Sequence, residues 1–174
     1  GINSFFNRDG SLRYFHKLSD NLEFSSFSYL SQEGYDVFAQ VFDFAGDVVA
    51  SQNRNYHILN LDYKLSDSKA VFANFGIDNN ISKTNIGIHD SDIDRSDLYA
   101  SINYKSIKQG QNGEFTFQGG LSYLRTRDLF DEQVPEYFFA FNPGQPTVDV
   151  DTTIRNEEIE PYAYLKYAKG PIIY

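Results

Sequence analysis

The chain has 174 residues, enough for one domain, and carries 15 basic against 24 acidic side chains, a formal net charge of −9. That balance argues against binding along nucleic acid, which needs a basic surface, and the absence of cysteine removes disulfides and thiolate metal sites. Aromatic residues make up 17% of the chain, all of them Phe or Tyr, a bias that suits strands. No apolar run approaches the roughly 20 residues of a membrane helix.

Residues 2–8 and 11–18 read as a hairpin about Asp9-Gly10, a pair favoured in two-residue turns because both positions want positive φ. Leu12, Tyr14, His16 and Leu18 then share one phase. Leu18-Ser19-Asp20 follows as a polar turn, and residues 22–35 form a long strand whose alternation changes phase near Ser25-Ser26, as a bulge would make it. Residues 36–54, with Phe38, Val41, Phe42 and Phe44, read as a long loop or an extended hairpin tip. Residues 55–65 and 69–78 are a hairpin about a second copy of the turn, Leu65-Ser66-Asp67. Residues 79–95 are polar and loop-like. Residues 97–107 and 114–123 alternate again across a Gly-rich connection, with Leu98, Ala100, Ile102 and Tyr104 on one phase. Residues 127–156 form the longest irregular stretch, and 157–168 a last strand in which Pro161 requires an edge or a bulge.

The expected fold is therefore all-β: an antiparallel up-and-down meander of about eight strands over residues 1–174, forming part of a transmembrane β-barrel. Short connections at 19–21, 66–68, 108–113 and 169–170 alternate with long ones at 36–54, 79–95 and 127–156. Short turns on one rim and long loops on the other, on strands with one apolar face, are the signature of outer-membrane barrels. The more apolar phase is expected to face lipid and the polar phase a wet lumen. Tyr63, Tyr104, Tyr123 and Tyr167, toward strand ends, would supply interfacial girdles. Gly1 is not Met, and Pro171-Ile172-Ile173-Tyr174 reads as the start of another strand, so the chain is expected to be a piece of a longer protein.

The stretches Gly10-Ser11-Leu12-Arg13-Tyr14-Phe15-His16-Lys17-Leu18-Ser19-Asp20-Asn21-Leu22 and Asn60-Leu61-Asp62-Tyr63-Lys64-Leu65-Ser66-Asp67 resemble the barrel of a TonB-dependent outer-membrane receptor of Gram-negative bacteria. In that family Tyr-x-Leu-Ser-Asp is frequent at the periplasmic end of a barrel strand. The resemblance covers nearly the whole chain in style, but the family's TonB-box, plug domain and terminal aromatic strand have no counterpart in it. It implies a plugged barrel of about 22 strands that imports a scarce ligand: a metal chelate, a vitamin, a glycan or a peptide. The partners implied are outer-membrane lipid, TonB acting through a plug domain outside this chain, and a surface lipoprotein. The location implied is the bacterial outer membrane.

Chemistry-bearing residues are sparse. Asp90, Asp92 and Asp94 are the weak metal candidate, since Asp-x-Asp-x-Asp opens like a Ca²⁺ loop. Arg95 stands where such a loop has Gly, and Ser101 where it has Glu, so a solvated acidic loop is the competing reading. Glu157, Glu158 and Glu160 could pair for glycoside hydrolysis, but lumen-facing polar residues are the simpler account. No nucleophile motif accompanies His16, His57 and His89, and no phosphate-binding or dinucleotide motif is present, so neither an enzyme nor a cofactor is expected. Phe42, Phe44, Tyr137, Phe138 and Phe141, within the loop aromatics, are the ligand-binding candidates. Two alternatives share these strands: a smaller porin-like barrel, and a soluble β-sandwich binding module.

Overall fold

A computed structural model describes residues 2–41, 44–111, 113–136, 144 and 146–169. Almost all of them lie in seven strands: β1 (Ile2–Ser19), β2 (Leu22–Val41), β3 (Phe44–Ser66), β4 (Lys69–Ile86), β5 (His89–Gly110), β6 (Gly113–Pro135) and β7 (Thr147–Lys169). They form one antiparallel sheet in sequence order. The all-β up-and-down meander expected from the sequence is thus present. The sheet is not closed: β1 and β7 are its two edges.

Both Leu-Ser-Asp turns form as expected. The backbone N–H of Asn21 donates to Ser19 Oγ and that of Ser68 to Ser66 Oγ, each at 3.3 Å, so the serine hydroxyl caps its own turn. Lys17 Nζ adds an ion pair to Asp20 at 2.9 Å. The ladder slips beside each turn, between Lys17 and Ser19 and between Lys64 and Ser66.

Four expectations are corrected. First, no hairpin stands at Asp9-Gly10: β1 runs straight through, with Asp9 opposite Ser31 and Gly10 opposite Leu30. Gly10 lacks the positive φ that a tight turn of this kind demands. Merging the two arms leaves seven strands rather than about eight. Second, Ser25-Ser26 is no bulge; pairing is continuous there on both sides of β2. Third, residues 79–95 are not a loop: β4 and β5 carry on to a two-residue turn, Gly87-Ile88, with Gly87 at φ 61°. Fourth, residues 127–135 belong to β6 and 147–156 to β7, so most of the irregular stretch expected at 127–156 is strand, while 36–41 in β2 and 44–54 in β3 follow the extended-hairpin alternative for 36–54. Polar side chains on both faces hid the alternation, yet the backbone ladder continues regardless. The expected contrast between short and long rims therefore does not hold.

Position in the sheet separates two faces. On β6, Glu114, Thr116, Gln118, Gly120 and Ser122 are half-buried while Phe115, Phe117 and Leu121 are exposed. On β3, Tyr56, Ile58, Asn60 and Asp62 are half-buried while His57, Leu59, Leu61 and Tyr63 are exposed. The exposed positions of β4 (Lys69, Phe75, Lys83 and Asn85) all belong by register to the second face. The polar face is thus the more sheltered of the two, and it is the one called inner below. Among the described residues no side chain is fully buried, and the molecule has no core of the ordinary kind.

Candidate functional site

The outer face carries an apolar band near the rim that holds the Leu-Ser-Asp turns. It comprises Leu59, Leu61 and Tyr63 on β3; Val71, Ala73, Phe75 and Ile77 on β4; and Leu98, Ala100, Ile102 and Tyr104 on β5, brought side by side by the register. It continues through Phe115, Phe117, Leu121 and Tyr123 on β6 to Ile159, Leu165 and Tyr167 on β7. Leu165 is 68% exposed, Ile159 65% and Ile102 55%. The four tyrosines anticipated as girdle residues, Tyr63, Tyr104, Tyr123 and Tyr167, all share this face.

Behind the band, in the same rows, the inner face is polar and internally hydrogen-bonded. Asn60 Nδ2 donates to Ser25 Oγ at 3.1 Å, and Asn74 Nδ2 donates to Ser101 Oγ at 3.0 Å. Asn103 Nδ2 reaches the same Ser101 hydroxyl at 3.3 Å. Tyr162 donates its phenol proton to Asn103 Oδ1 across Gly120. Farther along the strands runs a chain of charges. Arg54 Nε lies 3.0 and 3.1 Å from the two oxygens of Asp78, and Arg95 Nε lies 3.0 Å from Asp97 and 3.9 Å from Asp128. Asp78 and Asp97 stand directly opposite each other, and Asp97 Oδ1 is buried without a hydrogen-bond partner. Flanking arginines offset the repulsion that facing carboxylates would otherwise suffer.

Between these two sets, a groove of about 380 Å³ opens over Gly76, walled by Tyr56, Tyr99, Asn60, Asn74, Asp78 and Asp97. Phenol rings, carboxamides and carboxylates offer stacking faces, donors and acceptors to a hydroxyl-rich or cationic solute. No signal for this groove is legible along the chain, because its walls come from three strands and only the register brings them together.

Glu158, Glu160, Tyr162, Tyr164 and Lys166 share the inner face of β7, as expected, while Glu157 lies on the outer face. Asp90, Asp92 and Asp94 lie on the outer face of β5. Asp92 is ion-paired with Lys83, whose pKa is raised by that hydrogen bond first and the aspartate's charge second. Among the described residues no group of three His, Asp or Glu is placed to hold an ion. On a straight strand Asp90 and Asp94 stand about 13 Å apart at Cα, too far for the three carboxylates to share one cation. Phe42, Tyr137, Phe138 and Phe141 lie outside the described residues, and of Phe44 only the backbone, at the start of β3, is described.

One pairing escaped the sequence: His57 Nδ1 lies 2.9 Å from Ser28 Oγ across β2 and β3. The pair sits on the exposed outer face, flanked in its row by Leu12 and Ile77, with no carboxylate to orient the ring as a catalytic triad requires. Comparison with protein-family models, curated proteins and solved structures finds no match.

Proposed function

We propose that the seven strands are a sector of the wall of an outer-membrane β-barrel that passes a scarce solute inward, of the TonB-dependent receptor type. One observation carries this: an exposed apolar band on the outer face backed, row for row, by a hydrogen-bonded polar inner face. A soluble sheet covers its apolar face. A barrel wall presents that face to lipid and its polar face to water. Nine strand residues, as from Phe115 to Tyr123, rise about 30 Å, or roughly 23 Å when tilted at about 40°. That fits the roughly 25 Å apolar belt of such barrels. On β3 to β7 the apolar segments are then residues 59–65, 71–77, 98–104, 115–123 and 159–167, the seven-residue ones rising roughly 18 Å at the same tilt, and the rest of each of these strands projects beyond the bilayer. The repeated Leu-Ser-Asp turns at the apolar rim mark the periplasmic end, and the resemblance of their surroundings to TonB-dependent receptors supports the energised import. The inner groove over Gly76 would meet the solute on its way.

The chain has no cysteine, so single-cysteine variants of the protein in its membrane report position cleanly. Ile102→Cys should react with a lipid-soluble maleimide and resist a charged one, while Asp92→Cys reacts with both. Equal reaction of Ile102→Cys with the charged reagent, or a chain monomeric and folded in plain buffer, would sink the barrel. Uptake that persists after collapse of the inner-membrane proton gradient would leave a passive porin-like barrel instead.

A further inference from the structure

Just beyond the apolar band, the outer face of β6 and β7 changes character within two rows. Tyr123 pairs with Ile159 at the edge of the band; the next outer row pairs Arg125 with Glu157, and the one after pairs Arg127 with Arg155. Two like charges directly opposite on one face of a sheet repel, and Arg125 is the diagonal neighbour of Arg155. All three arginines are exposed, and among the described residues none makes a hydrogen bond or an ion pair. Carboxylates are near enough to have paired: Glu157 faces Arg125, and Asp94 is the diagonal neighbour of Arg127 on β5. In a chain of net charge −9, three arginines without ion pairs in two adjacent rows are a feature to be explained.

We infer that Arg127 and Arg155, with Arg125 beside them, form a binding site for the phosphate of a membrane lipid headgroup. This rests on the barrel reading above. Arg125 lies two residues past the edge of the band, roughly 5 Å along the membrane normal after tilt, and Arg127 and Arg155, about 10 Å past it, reach back toward that level with their long side chains. That is where the polar layer of a bilayer flanks its hydrocarbon. The rim is the one away from the Leu-Ser-Asp turns, so the lipid belongs to the outer leaflet. The chemistry fits as well. A phosphate monoester carries the charge that cancels two guanidinium groups, and each fork can engage two of its oxygens. The anion replaces Arg–Arg repulsion with two charge-assisted contacts. Above the pair the outer face turns acidic, with Asp131 opposite Asp151 and Asp92 beside them, so an anion is favoured only in this narrow strip.

The test uses the full protein in neutral detergent, with phosphatidic acid as probe, phosphatidylcholine and inorganic phosphate as controls, and native mass spectrometry as readout. Phosphatidic acid should bind the unaltered protein, and the Arg127→Gln/Arg155→Gln double variant should bind it about tenfold more weakly or worse. The Arg127→Lys/Arg155→Lys variant should recover part of the loss. Equal retention by the Gln variant would overturn the inference, and so would full displacement by inorganic phosphate, which would make the ligand a free anion. The Ile102→Cys labelling pattern, measured in the same Gln variant, separates the two ideas. Lipid-side labelling with unchanged phosphatidic acid binding removes the lipid site alone, whereas water-side labelling removes the barrel and with it this site.

Discussion

Two inner-face glycines have opposite requirements. A Cβ on Gly120 would stand 2.6 Å from the Ile102 carbonyl oxygen and 2.4 Å from Asn103 Oδ1, under the ring of Tyr162. A carbonyl of the neighbouring strand cannot retreat without bending the ladder. Gly120→Ala should therefore destabilise the folded protein by about 1–3 kcal/mol and break the Tyr162–Asn103 hydrogen bond. At Gly76 the added methyl meets only ordinary contacts, at 3.6 Å from the His57 carbonyl oxygen and 3.9 Å from Tyr99 Cβ. Gly76→Ala should leave stability within about 1 kcal/mol of the parent and act on the groove floor, weakening solute binding instead. Urea unfolding from lipid vesicles, run on both variants, checks the contrast.

On the proposed barrel reading, β3 to β7 are each part membrane element and part extramembrane strand, and one pair of neighbouring positions tests the division. Ile102→Lys places a charge on the outer band and should cost about 2–4 kcal/mol of folding free energy in a bilayer. Ser101→Lys places the same charge on the inner face, among Asn74 and Asn103, and should cost distinctly less. Comparable losses from the two variants in vesicle folding titrations would contradict the assignment of faces. The same division explains what the sequence disclosed. Leu59, Leu61 and Tyr63 alternate with Asn60 and Asp62, so period two was plain wherever one face is apolar. Asn53 and Asn55 flank Arg54, and Lys83 and Asn85 flank Thr84, so beyond the band both faces are polar and the pattern vanishes although the ladder does not. Asp9-Gly10 misled for the opposite reason: a strong local turn signal lost to a long ladder with β2. The groove over Gly76 and the Arg127–Arg155 pair needed the register itself, which a single chain's alternation does not give.

Across the whole molecule, seven strands of 18 to 23 residues make a sheet roughly 60–75 Å long at about 3.3 Å per residue. A tilted strand needs about 9–11 residues to cross a bilayer, so each strand is about twice as long as a crossing requires, and on the barrel reading the excess lies on the side away from the Leu-Ser-Asp turns. The fold class was legible because it depends on alternation and turns. Closure of the wall was not, because an edge strand and a central strand read alike.

The lack of any fully buried side chain among the described residues has a calorimetric consequence. In a soluble domain, unfolding wets a hidden oily interior and raises the heat capacity by about 12–15 cal/mol/K per residue. On the proposed barrel reading the oily surface is already outside, against lipid or detergent, and micelles would keep much of it dry after the ladder melts. Scanning calorimetry in detergent should therefore give a heat-capacity step well below half that per-residue value, and a stability curve nearly straight with temperature. What a globule stores in its centre, this sheet borrows from its solvent.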